Sequence, residues 1–212
     1  MIIRLPAAEG KSETYHLAGE PIAVRKPKTP FNRVALAAAH VVADPLSPSG
    51  GLDWDKTLAF RHFLLDQGFG IAEAMDTSQR GMGLDWPLAH ELIGRSLKSA
   101  GRQASRIFSG CGTDHLPPVE ARSVDDVVRA YLEQLRAIQM LGGRVILMAS
   151  RALVRVAKSP DDYVKVYGRV LNEAEKPVIL HWLGEMFDPA LKGYWGAEDF
   201  SATARTCLAV IS

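Results

Sequence analysis

The sequence predicts an α/β protein made of parallel βα units: about the first five units of a (β/α)8 TIM barrel, preceded by an N-terminal β-hairpin extension. Three observations predict it. Short apolar runs of small and β-branched residues alternate with stretches of period 3.6, the grammar of a parallel sheet with crossover helices. The runs are apolar throughout, as strands buried on both faces are. No Gly-x-Gly-x-x-Gly follows the first run and no Gly-Lys-Ser/Thr phosphate loop occurs, so a nucleotide-binding doubly wound sheet loses ground to the barrel.

The elements follow in order. Residues 2–5 and 14–17 alternate around Glu9-Gly10-Lys11 and read as a hairpin, and a proline-rich link spans 21–30. These residues, 1–30, form an extension and linker, and 31–212 form the part-barrel. The first unit has a strand at 34–39, a proline-containing loop at 40–52, and a helix at 53–67 with Asp53 as N-cap and Gly68 as stop. The second has a strand at 70–75, a polar loop at 76–85 and a helix at 87–100 opening on Pro87. In the third, a strand at 106–110 leads into Cys111-Gly112-Thr113-Asp114-His115. Ser123 with Asp126 then forms a capping box for a helix ending at Gly142-Gly143. The fourth has a strand at 145–149 and a helix at 160–173. The fifth has a strand at 177–180, a long loop and a last helix at about 197–211.

Composition bounds the function. The chain has 212 residues, 47% hydrophobic and 23% charged, which is a globular balance. With 25 basic against 24 acidic side chains the net charge is +1, too little field for a polyanion, so no nucleic-acid partner is expected. No apolar run approaches the ~20 residues that span a bilayer, and the N-terminus lacks a signal-peptide pattern, so no membrane partner and a cytoplasmic location are expected. Two cysteines, Cys111 and Cys207, make no disulfide framework and suit a reducing compartment.

Function in such folds collects at the carboxyl ends of the strands. The residues there are polar: His40 after the first strand; Glu73, Asp76, Thr77, Ser78 and Arg80 in and after the second; Thr113, Asp114 and His115 after the third; Ser150 and Arg151 after the fourth; His181 and Trp182 after the fifth. Glu73 stands inside an apolar run, so once buried it must be paired, protonated or a ligand. A salt bridge to Arg33 or Arg151 is its bland use; general acid-base work is the functional one. His181 suits a general base or a metal ligand, or a core imidazole. Arg151 presents a planar fork to a carboxylate, or covers the surface. The Gly110-Cys111-Gly112-Thr113 turn offers backbone N–H groups to an anion, or is a tight bend. Cys111 reads as a small buried hydrophobe. The catalytic candidates are His181, Glu73 and Ser150, and the substrate-binding ones Asp76, Thr77, Ser78, Thr113, Arg151 and His40. His40 and His115 with Asp44, Asp76 and Asp114 could compose a divalent-metal site, although no His-x-His or His-Glu-x-x-His spacing supports it, and an alternative metal-dependent reading uses Glu73, Asp76, His115 and His181.

The segment Lys176-Pro177-Val178-Ile179-Leu180-His181-Trp182-Leu183-Gly184 resembles the fifth strand of the dihydrodipicolinate synthase and N-acetylneuraminate lyase superfamily of aldolase-type TIM barrels. Ala38-Ala39-His40-Val41-Val42-Ala43-Asp44-Pro45, Glu73 to Gly83 and Ile146-Leu147-Met148-Ala149-Ser150-Arg151 are similar to an uncharacterised bacterial branch of it. The resemblance implies a lyase-like enzyme acting on a small oxo acid or sugar acid through an imine lysine on a sixth strand, without a cofactor, and a homo-oligomer. His181 then stands at the fifth-strand tyrosine position, and Asp76-Thr77-Ser78 replaces the superfamily's carboxylate clamp. None of Lys56, Lys98, Lys158, Lys165, Lys176 or Lys192 reads as a strand-end amine. A metal-dependent hydrolase or isomerase and a non-catalytic small-molecule binding module are the alternatives. A barrel takes about 250 residues, so a C-terminal barrel half beyond Ser212, carrying the lysine, is expected.

Overall fold

The computed structural model of the chain describes residues 2–20, 23, 24, 27, 29, 31–44 and 51–212. Most of the proline-rich link and the prolines of the first long loop lie outside the described residues. Two antiparallel strands, β1 (Ile2–Pro6) and β2 (Ser12–His16), form the N-terminal hairpin with Ile3 opposite Tyr15. The body follows as β3 (Leu36–Ala38), α1 (Trp54–Asp66), β4 (Gly70–Glu73), α2 (Trp86–Ala100), β5 (Ile107–Cys111), α3 (Val124–Met140), β6 (Arg144–Leu147), α4 (Arg151–Val156), α5 (Pro160–Leu171), β7 (Ile179–Leu180) and α6 (Phe200–Ile211).

The body sheet has five parallel strands in sequential order, β3-β4-β5-β6-β7, with Ala72 opposite Phe108 and Cys111 opposite Leu147. Strand alternation sends Ile71, Ile107, Cys111, Val145 and Leu147 into one large core with the helix residues Leu92, Ile93, Val128, Tyr131, Leu135, Ile138 and Val166. The opposite face carries a small separate cluster of Ala72, Met75, Phe108, Ile146 and Met148, with Leu36 against it and no helix residue in it. Helices on one face and an unreversed strand order are the arrangement of a barrel wall; a doubly wound sheet has helices on both faces and a switch point. The α/β class and the part-barrel thus follow from the packing.

The helix ends obey local chemistry. Asp53 and Asp85 accept from the main-chain N–H three residues on, at 2.9 and 3.0 Å, and Ser123 with Asp126 makes the full capping box. The strands are shorter than the apolar runs: residues 34, 35 and 39 flank β3, and only Ile179 and Leu180 pair in β7. Helix α4 falls between the fourth strand and the helix expected at 160–173, where the sequence pattern marks no element. The Ser150 hydroxyl accepts from Leu153 N at 3.0 Å and caps it, and Ala152 and Leu153 are buried beneath it.

Glu73 faces the helix layer, not the concave face. It is wholly buried, and Arg61 of α1 donates Nε to Oε2 at 2.9 Å and Nη2 to Oε1 at 2.7 Å. The Ser96 hydroxyl of α2 adds a bond to Oε2 at 2.6 Å and Ala74 N one to Oε1 at 2.9 Å. The partner is therefore Arg61, and neither Arg33 nor Arg151. Arg61 also donates to the carbonyls of His40 and Thr57, so one guanidinium joins the ends of β3 and β4. Ala74, next in the chain, is held at φ 53°, in the left-handed region that a non-glycine residue enters only under constraint.

Removing one member of a bidentate buried pair leaves the other charge without a partner, at a cost of about 3–5 kcal/mol. Glu73→Gln is expected to lower unfolding stability by that order in urea titration. A loss below about 1 kcal/mol would show that the pair is not what fixes this corner.

Candidate functional site

At the carboxyl ends of the strands lies a pocket of about 140 Å³, lined by Asp76, Arg80, Thr113, Asp114, Arg151, His181 and Asp188 among others. Its walls are set by buried hydrogen bonding. Arg80 is 5% exposed and every nitrogen of its guanidinium is used. Nε and Nη2 donate to the two oxygens of Asp114, each at 2.9 Å. Nη1 donates to the carbonyls of Ala74 at 3.1 Å and Gly110 at 3.0 Å, and Nη2 also donates to Gln134 Oε1 at 2.6 Å. Arg80 is thus a structural cation whose donors are unavailable to a ligand. Gly110 is required there, since a Cβ would come within 2.7 Å of Ala74 O and 2.8 Å of Met148 Sδ.

The next strand pair is joined differently. Thr113 Oγ1 and Ser150 Oγ lie 2.6 Å apart, Ser150 N donates to Tyr194 OH at 3.1 Å, and Tyr194 OH lies 2.8 Å from Tyr167 OH. Burial pushes the phenols of Tyr167 and Tyr194 up, so both stay neutral. Ser150 is 1% exposed and committed to capping and to Thr113.

The candidate residues separate on this geometry. Asp76, Thr113, Arg151 and His181 come together on the pocket. Glu73 does not, being held by Arg61 in the helix layer. Ser78 is buried with its hydroxyl on Ala39 O at 2.7 Å, Thr77 is exposed, and His40 is exposed at the end of β3, none of them lining the pocket. The one-turn 3₁₀ helix at Asp76–Ser78 explains this difference, because it points three successive side chains in different directions. His115 packs outside, with Nδ1 2.8 Å from Gln134 Nε2 and Nε2 3.3 Å from Glu133. Glu73, Asp76, His115 and His181 therefore do not converge, and among the described residues no three His, Cys, Asp or Glu side chains form a group that could hold a metal. The turn at 110–113 is no open anion nest, since Gly112 N donates to Gln134 Oε1 at 2.8 Å. Burial pushes the Cys111 thiol up to about 12, so it is no nucleophile.

Two groups on the pocket keep free capacity that suits a small acid. Arg151 donates Nε to Asp188 Oδ2 at 2.6 Å, and its two η nitrogens make no hydrogen bond among the described residues. His181 hangs from β7 by its N–H to Leu147 O at 3.0 Å, and its Nδ1 is buried without a hydrogen-bond partner. Ser109 Oγ and Trp195 Nε1 are likewise buried without a partner among the described residues. Asp188, which orients Arg151, and Gln134, which helps hold Arg80, carry no distinguishing signal in the sequence, whereas Asp114 stands among the polar strand-end residues. A larger cavity of about 1150 Å³ lies at the other end of the sheet, against the strand starts at Leu36, Gly70 and Arg144.

A family model described as Protein of unknown function (DUF993) matches residues 3–212. No curated protein matches the sequence. Among solved structures, the chain is similar to a dihydrodipicolinate synthase from Oceanobacillus iheyensis, with a TM-score of 0.53 and 16% identity over 82% of this chain and 56% of that one. It is similar also to dihydrodipicolinate synthase from Aquifex aeolicus, with a TM-score of 0.54 and 13% identity over 71% of this chain and 45% of that one. The chain spans about half the length of these structures, and at such identities the likeness is one of fold. It bears out the resemblance to that superfamily of barrels at the level of fold. No described helix is long and apolar enough to cross a membrane.

The Asp114 carboxyl tests the wall. Burial alone would raise it, but the hydrogen bonds and charge of Arg80, with Gln134, hold it below the usual carboxylate range. A carboxyl held low stabilises the fold above its unfolded value, ~3.9, and the contribution is lost as pH falls through the folded value. Asp114→Asn is therefore expected to lower the unfolding midpoint more at neutral pH than near pH 3. Equal losses at both pH values would show that the charge of Asp114 carries none of the stability.

Proposed function

Because this chain belongs to the family described as Protein of unknown function (DUF993), we propose that its pocket is the active site of a lyase-like barrel enzyme acting on a small oxo acid or sugar acid. The observation that carries the reading is the pairing, on one pocket, of a guanidinium fork whose η nitrogens make no hydrogen bond among the described residues with the imidazole of His181. Size supports it: a cavity of about 150 Å³ holds benzene, so a pocket of about 140 Å³ suits an acid of three or four carbons. The position supports it too, since barrel chemistry sits at the carboxyl ends of the strands.

In this reading Arg151 takes the carboxylate bidentately and fixes the oxo carbon. The His181 imidazole removes a proton from the carbon beside the carbonyl: the C–H bond breaks, an N–H bond forms, and the electron pair moves into the enolate. The returning proton completes an exchange, the half-reaction that carbon–carbon cleavage or formation in such acids shares. Thr113, fixed by Ser150, stands on the same pocket wall. No described lysine lines the pocket, so these residues supply binding and proton transfer and not an imine.

Pyruvate in D₂O tests this. The wild-type protein is expected to be stabilised by pyruvate in thermal unfolding and to catalyse methyl-proton exchange seen by NMR. His181→Gln is expected to keep the stabilisation and lose exchange by about 100-fold or more, while Arg151→Ala loses the stabilisation. Stabilisation without exchange would mark a binding module, and neither effect would contradict the reading altogether.

A further inference from the structure

We infer that Asp76 makes the site selective for a hydroxylated oxo acid over a plain one; this rests on the oxo-acid reading above. The charged groups on the pocket are Arg80, Arg151, Asp76, Asp114 and Asp188. Two pairs cancel internally, Arg80 with Asp114 at 2.9 Å and Arg151 with Asp188 at 2.6 Å. Asp76 is left. Its main-chain carbonyl accepts from Gln79 N, but among the described residues its carboxylate makes no hydrogen bond and no ion pair, although the residue is half-buried at the pocket wall.

The free capacity of the pocket is therefore a donor fork at Arg151, an imidazole at His181 and an acceptor-only carboxylate at Asp76. An acid occupying it meets Arg151 with its own carboxylate. Asp76 repels a second carboxylate and gains nothing from a methyl group, and it must give up water against either. A hydroxyl offers it an O–H donor, and hydrogen bonds to a charged acceptor are the strong ones. A site with a buried acceptor discriminates against the analogue that lacks the donor far better than an apolar pocket discriminates by size. The ligand class is thus a monocarboxylate with a carbonyl at His181 and a hydroxyl reaching Asp76.

Pyruvate and hydroxypyruvate differ by that one hydroxyl, so their affinities for the full chain, measured by calorimetry, isolate the effect. Hydroxypyruvate is expected to bind about tenfold tighter. Asp76→Ala is expected to abolish the preference by weakening hydroxypyruvate while leaving pyruvate binding unchanged or tighter. Its unfolding midpoint without ligand should match that of the wild type, since the carboxylate makes no bond in the fold. Equal affinity of the wild type for both acids, or a preference that survives Asp76→Ala, overturns the inference while leaving the oxo-acid reading in place. Tighter binding of alanine than of hydroxypyruvate overturns it as well, by assigning Asp76 to an ammonium group. If neither acid binds the wild type, the oxo-acid reading fails and the inference falls with it.

Discussion

The Arg80 guanidinium is the constraint on which the pocket depends. It is buried, and a buried cation is tolerated only when its donors are all satisfied. Its planar fork meets Asp114 with two nitrogens and has donors left for the carbonyls that end β4 and β5 and for Gln134 of α3. Lysine, a point charge without the fork, has no equivalent geometry. Three elements therefore share one rigid corner, and that corner holds Gly112 and Thr113 where they line the pocket.

A similar device recurs around the rim. Arg61 ties β3 to β4 through Glu73 and the His40 carbonyl, and the Thr113–Ser150 hydroxyl pair ties β5 to the start of α4. Tyr131 OH donates to Met148 O at 2.5 Å, fixing the end of β6 from α3. The carboxyl ends of neighbouring strands are thus sewn together by polar side chains from the helices and the strand-end loops, while the apolar core beneath supplies the cohesion. Among the described residues the η nitrogens of Arg151 and the carboxylate of Asp76 stay outside this sewing, and with the imidazole of His181 they line the pocket. Rigid walls with a few free polar groups are the usual composition of a small-molecule site.

Much of the fold was legible because its signals are local. Asp53, Asp85 and Ser123 sit before their helices and act as caps by side-chain geometry alone, and the apolar runs marked the strands to within a few residues. Helix α4 was missed because six residues are too few to show a period. Which face of the sheet the helices cover was also outside the sequence pattern, since strands buried on both sides look alike in either architecture. The site was legible only in part. Glu73 was recognisable as a charge in an apolar strand, but its partner lies on α1, and a pairing 12 residues back along the chain leaves no mark in the sequence. Arg80 meets Asp114 34 residues and Gln134 54 residues further on, and only the folded sheet brings them together. Asp76, Thr77 and Ser78 were equivalent as neighbours, and the 3₁₀ turn separates them into a pocket residue, an exposed one and a tether.

A crystal structure of this chain with pyruvate bound would show whether the pocket holds an oxo acid. Density is expected in the pocket at the carboxyl ends of the strands, with the carboxylate on the η nitrogens of Arg151 and the methyl carbon against the imidazole of His181. Pyruvate absent from that pocket at saturating concentration, or seated instead in the cavity at the amino ends of the strands, would contradict it.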